Sequence, residues 1–133
     1  MIKNFKQFLW FQFPAIAWMA AIFIQSSISY LNVPDLGFSA QDKLAHAIEY
    51  AILGWLLIRA LLFQQNLKIR KNALRIALVI GSCYGISDEI HQAFVPGRSG
   101  DVGDIIADIL GVFIVAGFYF IRKKFANVDV AKK

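Results

Sequence analysis

Three short stripes of polar, mostly ionisable residues recur at helical spacing. Asp42, His46, Glu49 and Tyr50 stand at i, i+4, i+7 and i+8, one face of a helix. Tyr84, Asp88, His91 and Gln92 repeat that spacing, with Glu89 one position round, and Asp104, Asp108 and Gly111 stand at i, i+4 and i+7. Carboxylates and imidazoles grouped this way are the residue types of general acid and base catalysis. They are equally the ligand types of a hard or borderline divalent cation, although their spacing matches no metal motif. Arg98, in the turn Pro96-Gly97-Arg98, supplies a guanidinium able to clasp a phosphate or carboxylate through two hydrogen bonds, and Lys43 is a second cation beside Asp42.

Each of these residues also has an architectural reading. Glu49 or an aspartate could pair with Lys43 or Arg98, Arg98 could pair with Asp101 or Asp104, and Asp101 could cap the helix that follows it. The count tips the balance. Six carboxylates (Asp42, Glu49, Asp88, Glu89, Asp104 and Asp108) share two bases and two histidines. Pairing alone leaves acids over, so some must be protonated, hydrated or holding a cation.

The chain that carries these stripes is too apolar for a soluble domain. Its apolar residues make up 58% and its charged residues 17%, with a mean hydropathy of +0.55, whereas soluble domains carry about 45–50% apolar and about 25% charged residues. Four apolar stretches of 18 to 21 residues cover 8–28, 44–63, 73–90 and 102–121. A helix crossing the hydrocarbon layer of about 30 Å needs about 20 residues, so each stretch suits one crossing. None shows sustained period-2 alternation, which disfavours a membrane β-barrel. The expectation is one all-α domain over residues 1–133, an integral membrane bundle of four transmembrane helices. Its single cysteine, Cys83, excludes an intramolecular disulfide framework and a Cys-cluster metal site. Apolar neighbours predict that Cys83 lies in the core.

Orientation follows from the basic residues. Twelve of the fourteen Lys and Arg fall in the two termini, the second connection and the helix ends beside it; only Lys43 and Arg98 fall on the other side. Positive residues mark the cytoplasmic side, so both termini are expected there, with Arg59 and Arg75 snorkelling to the inner headgroups. The net charge of +5 is then a topology signal and not a nucleic-acid footprint. The first stretch has basic Lys3 and Lys6 before it, but it is longer and more aromatic than a signal peptide and is read as a retained helix. Its aromatic residues read as lipid-facing filler and an interface belt. All four helices then place their polar ends in one outer leaflet, beginning with Gln25-Ser26-Ser27 of the first. An ionisable side chain facing lipid costs about 2.5–3.5 kcal/mol on insertion scales, so the stripes are expected to converge on one outward-opening pocket. Gly81 and Gly85 form a small-xxx-small pair for close helix packing.

Two strings now show a likeness. DKLAHAIEYAILGWLL (42–57) and YGISDEIHQAFVPGRSGDVGDIIADILG (84–111) closely resemble the VanZ-like family of bacterial membrane proteins. The family's Asp-Lys, His and Tyr correspond to Asp42, Lys43, His46 and Tyr50. Its Asp-Glu-x-His-Gln run, Pro-Gly-Arg turn and paired acids correspond to Asp88, Glu89, His91, Gln92, Pro96, Gly97, Arg98, Asp104 and Asp108. Gln25-Ser26-Ser27 resembles the polar end of the family's first helix. The likeness spans residues 22–111 and implies a small multi-pass protein of the bacterial cell envelope, in the cytoplasmic membrane. The family's namesake is tied to reduced susceptibility to the glycopeptide teicoplanin.

Functions from different classes fit these residues. One is an enzyme acting on an envelope lipid or lipid-linked precursor at the outer leaflet. Arg98 and Lys43 would hold its anionic group, and Glu49, Asp88, Glu89, Asp104 or Asp108 with His46 or His91 would move protons. Asp42, Tyr50, Tyr84 and Gln92 would complete the contacts, with or without a divalent cation. Another is a non-catalytic module that binds a membrane lipid, a glycopeptide or a protein partner through the same pocket. A third is a proton- or ion-handling bundle, for which four short helices would have to form a homo-oligomer.

Overall fold

Pro14 divides the first apolar stretch. A proline removes an N–H from the helical ladder, and its ring crowds the carbonyl four residues back. In the computed structural model, which describes residues 2–29 and 40–131 (side chains for 5–29 and 40–125), the stretch accordingly forms three pieces. These are α1 (Ile2–Gln7), a π-helical segment (Phe8–Gln12) and α2 (Phe13–Ser26), with the proline in the first turn of α2. The wider turn just before the proline takes up the misfit. The first connection, including Asp35, and Lys132 and Lys133 of the basic C-tail lie outside the described residues.

The remaining elements are α3 (Gln41–Leu62), α4 (Leu67–Lys71), α5 (Ala73–Gln92) and α6 (Val102–Ala131). Helix α4 is a single turn in the basic connection. Its Asn66 cap accepts the N–H groups of Lys68 (2.9 Å) and Ile69 (3.4 Å). Helices α3, α5 and α6 outrun the apolar stretches read from sequence, α3 by starting at Gln41, α5 by ending at Gln92 and α6 by continuing past 121 to Ala131. Hydropathy marks where a helix is greasy. The hydrogen-bond ladder continues into polar flanks such as Arg122-Lys123-Lys124.

All regular structure among the described residues is helical. Among the described residues, three segments are long and apolar enough to cross a membrane: Phe5–Ser26, Gln41–Leu62 and Val102–Phe125. Helix α5 has the length, 20 residues or about 30 Å at 1.5 Å per residue. Its last turns carry Asp88, Glu89 and His91, so it is the least apolar of the four stretches expected to cross.

Contacts fix the relative directions. Gln7 donates to the Phe63 carbonyl, Gln12 to that of Ala60 (3.4 Å) and Trp18 to that of Glu49 (3.1 Å), so α2 runs antiparallel to α3. His46 lies beside Asp108 and Gly54 beside Val112, which makes α3 and α6 parallel, the most extensively packed pair. Gly81 meets Val112 and Gly85 meets Asp108, so α5 returns antiparallel to α6. These approaches need missing side chains. A Cβ on Gly111 would lie 2.2 Å from the Ala47 carbonyl oxygen, and one on Gly81 would lie 2.8 Å from Val112 Cγ2.

Ile22, Tyr50, Leu53, Ile58 and Val112 are the most deeply buried large apolar side chains of the core where these helices meet. The outer surface is apolar, with Trp10, Val79 and Ile114 each more than 60% exposed. Cys83 is exposed, against the expectation of a core position. Val79, Ile86 and Ile90 on the same face of α5 are exposed too, so its apolar neighbours mark the outward face of the helix. Most aromatic residues of the first helix face outward as expected, but Trp18 and Phe11 do not. Trp18 bonds to α3, and Phe11 stacks on Phe63 (3.7 Å) beneath the Arg59 guanidinium.

Candidate functional site

At the end of the molecule where α3 and α6 begin, α2, α3, α5 and the Pro96-Gly97-Arg98 turn surround a cavity of about 40 Å³. Helix α2 contributes Gln25 and Ser26, α3 contributes Asp42, His46 and Glu49, α5 contributes Asp88 and Gln92, and Arg98 comes from the turn. Gly97, with φ 79°, adopts the left-handed conformation that lets the turn carry Arg98 back to the helices. There the guanidinium Nη1 donates to the Gln25 carbonyl at 3.4 Å.

Behind the cavity wall, His46 Nδ1 donates to Asp108 Oδ1 at 3.0 Å. Both residues are buried, Asp108 completely. The parallel packing of α3 on α6 creates this pair by placing i+4 of one stripe against i+4 of another. Asp108 fixes the imidazole orientation and leaves Nε2 as the nitrogen open to proton exchange. Gln92 donates to Asp88 Oδ2 at 2.8 Å. The Asp101 N–H donates to Glu89 Oε2 at 2.8 Å, tying the end of α5 to the start of α6. Lys43 bridges Asp101 (2.6 Å) and Asp104 (3.1 Å). Its ammonium, bonded to the exposed Asp101, holds that carboxyl below its usual range. Asp101 also caps α6 by accepting the Gly103 N–H at 2.7 Å.

Four buried oxygens find no partner among the described residues: Tyr50 Oη, Asp88 Oδ1, Glu89 Oε1 and Asp108 Oδ2. Buried polar atoms are nearly always bonded. These four oxygens are acceptors left open to water, a cation or a ligand group. A water needs about 10–15 Å³ of such volume, so the cavity suits a few waters or a small ion, and a headgroup would have to sit at its mouth beside Arg98. Asp42, His46 and Asp104 each bring one ligand atom to within 4.8 Å of the others, a donor set suited to a divalent cation.

The residues singled out by sequence are therefore divided. Asp42, His46, Glu49, Asp88, Gln92 and Arg98 share the cavity, with Asp108 directly behind. Tyr50 is buried with its ring against Gly85. Lys43, Glu89 and Asp104 are engaged at the start of α6. Tyr84 turns to α2, where its hydroxyl donates to the Met19 carbonyl at 2.6 Å. His91 stacks on Phe23 (4.6 Å) and meets Ser27 Oγ at 2.9 Å, away from the cavity lining. The architectural alternatives also resolve. Asp101 and Asp104 pair with Lys43 in place of Arg98, and the Glu49 carboxylate is approached by Gln25 Nε2 at 3.5 Å in place of a cation. Gln25 and the buried Ser26 line the cavity although neither was a candidate. Their position at the polar end of the first helix was the signal that could have found them.

Helices apolar enough to span a bilayer, with ionisable side chains gathered at one end, define a polytopic membrane protein with a buried polar centre. The chain belongs to the VanZ/LLP1 family, whose pattern matches residues 5–123 and so takes in every helix from α2 to α5 and most of α6. Comparison with curated proteins and with solved structures finds no match.

Proposed function

We propose that this VanZ-family protein crosses the bacterial cytoplasmic membrane four times, with both termini inside, and opens its polar cavity outward. There it engages the anionic headgroup of an envelope lipid or lipid-linked precursor and performs acid–base chemistry on it. The observation that carries this reading is the buried His46–Asp108 pair at the wall of a cavity that Arg98 also lines. A guanidinium at the mouth can hold a phosphate by two bonds. His46 Nε2 takes the proton from a hydroxyl or water as that oxygen attacks and returns it to the leaving oxygen, while Asp108 steadies the imidazole. Glu49 and Asp88 keep the cavity acidic and hydrated. The four crossings are supported by direction. If α5 did not cross, α3 and α6 would be consecutive crossings and run oppositely, yet they run parallel. An altered teicoplanin susceptibility in cells carrying the protein is the cellular form of the same proposal.

The test is reconstitution into vesicles made from bacterial envelope lipids, with the phosphate-bearing lipids followed by mass spectrometry. Wild type should deplete one such lipid with time. Arg98→Gln should neither deplete nor retain it, and His46→Gln should retain it without conversion. A lipid retained but unchanged by wild type would favour the binding module. Neither retention nor depletion by wild type would remove the proposal.

A further inference from the structure

At the end of the molecule opposite the polar cavity, α5 and α6 flank an open groove of about 690 Å³ that is also bordered by α4. Leu74, Leu78, Phe113, Ala116 and Phe120 line it with apolar surface. Arg70, Lys71, Arg75, Lys123 and Lys124 also line it, and no acidic residue does. All five cations are exposed, and none is in an ion pair among the described residues. Gly117 lies on the groove with open space beside it, since a Cβ there would meet nothing within 4 Å. The positive-inside bias asks only that basic residues lie on this side of the membrane. It does not ask that five of them gather around one apolar cleft from two segments distant in sequence, the α4–α5 junction (Arg70, Lys71, Arg75) and the end of α6 (Lys123, Lys124).

We infer that this groove is a binding site for an anionic phospholipid of the surrounding leaflet. The phosphate sits among Arg75, Lys123 and Lys124, with Arg70 and Lys71 completing the positive field from α4. One acyl chain lies along the Phe113, Gly117 and Phe120 face of α6. Basic pockets between membrane helices hold phospholipid headgroups by this combination of charge and fit, and the volume is that of a ligand site. Charge complementarity selects the occupant: a zwitterionic lipid would carry an amine cation into a cluster that has no acid to receive it.

The test is native mass spectrometry of the full chain in detergent with equimolar phosphatidylglycerol and phosphatidylcholine. Wild type should retain one phosphatidylglycerol in preference to phosphatidylcholine. Arg75→Gln with Lys124→Gln should weaken that retention by about fivefold per charge removed. Lys68→Gln with Arg122→Gln removes the same charge at the same end but outside the groove, and should leave retention unchanged. Gly117→Phe alters no charge, has open space for its side chain, and should reduce retention by filling the acyl channel. Equal losses from the two charge pairs, undiminished retention in Gly117→Phe, or no preference between the two lipids would each overturn the inference.

Discussion

His46 and Asp108 are the two side chains on which the proposed chemistry turns. Both are buried and each is the other's polar partner. Removing one member of a buried pair costs about 3–5 kcal/mol, because the survivor keeps its desolvation penalty. Asp108→Ala is therefore expected to lower the melting temperature sharply in detergent. Asp108→Asn keeps an oxygen for His46 Nδ1, so it should fold close to normally yet lose turnover, which circular dichroism and the lipid assay would separate. His91→Ala should leave turnover intact, since His91 rests on Phe23 and Ser27. Asp101 gives a pH dependence. Lys43 holds its carboxyl below the usual 3.8, so the folded state binds this proton less readily than the unfolded chain. The resulting stability is fully present above pH 3.8 and is lost as pH falls through the lower folded value. Hydrogen exchange at the start of α6 should rise in that acid range, and Lys43→Met should reduce the pH dependence, leaving the smaller part due to the Gly103 N–H. Helical spacing put Asp42, His46, Glu49, Asp88 and Gln92 at one cavity, but it did not separate from them Tyr84 and His91, which share the α5 stripe and turn to α2. The partners of the candidate residues were not legible. Lys43 bonds to residues 58 and 61 positions away, and nothing local distinguishes Lys43 from Arg98 as the cation for those acids.

Among the elements, the α3–α6 contact carries the site, because it alone brings His46 to Asp108. It depends on Gly111, where a Cβ would run into the α3 backbone at Ala47. Overpacking of this kind costs about 1–3 kcal/mol when neighbours can shift, and a backbone carbonyl shifts poorly. Gly111→Ala is expected to reach at least the upper part of that range in thermal unfolding, while Gly117→Ala, with open space around it, should melt like wild type. Apolar runs and the glycine pair Gly81 and Gly85 were readable as helices and close packing. The π-helical segment before Pro14 and the outward-facing Cys83 were not. An apolar stretch looks the same whether it faces lipid or core, and hydropathy carries no information about how a ladder bends around a proline.

For the whole molecule, topology is the claim that organises the rest. Twelve of fourteen Lys and Arg fall in the two termini, the second connection and the helix ends beside it, and α3 parallel to α6 with α2 antiparallel to α3 fits four crossings. Reporter fusions after Gln65, Gly100 and Lys133 should read inside, outside and inside, and an outward C-terminus would reverse the placement of the cavity. The most direct measurement is membrane abundance, by immunoblot, set beside lipid turnover for Asp88→Asn and Arg98→Gln. Among the described residues Arg98 makes one long bond, to a carbonyl, and Asp88 carries an unpartnered oxygen beside a cavity large enough for water. Neither change breaks an ion pair among the described residues. If the polar cluster is a site, both variants accumulate at wild-type levels and lose turnover. If abundance falls in step with turnover in both, the cluster holds the helices together and the functional reading is contradicted.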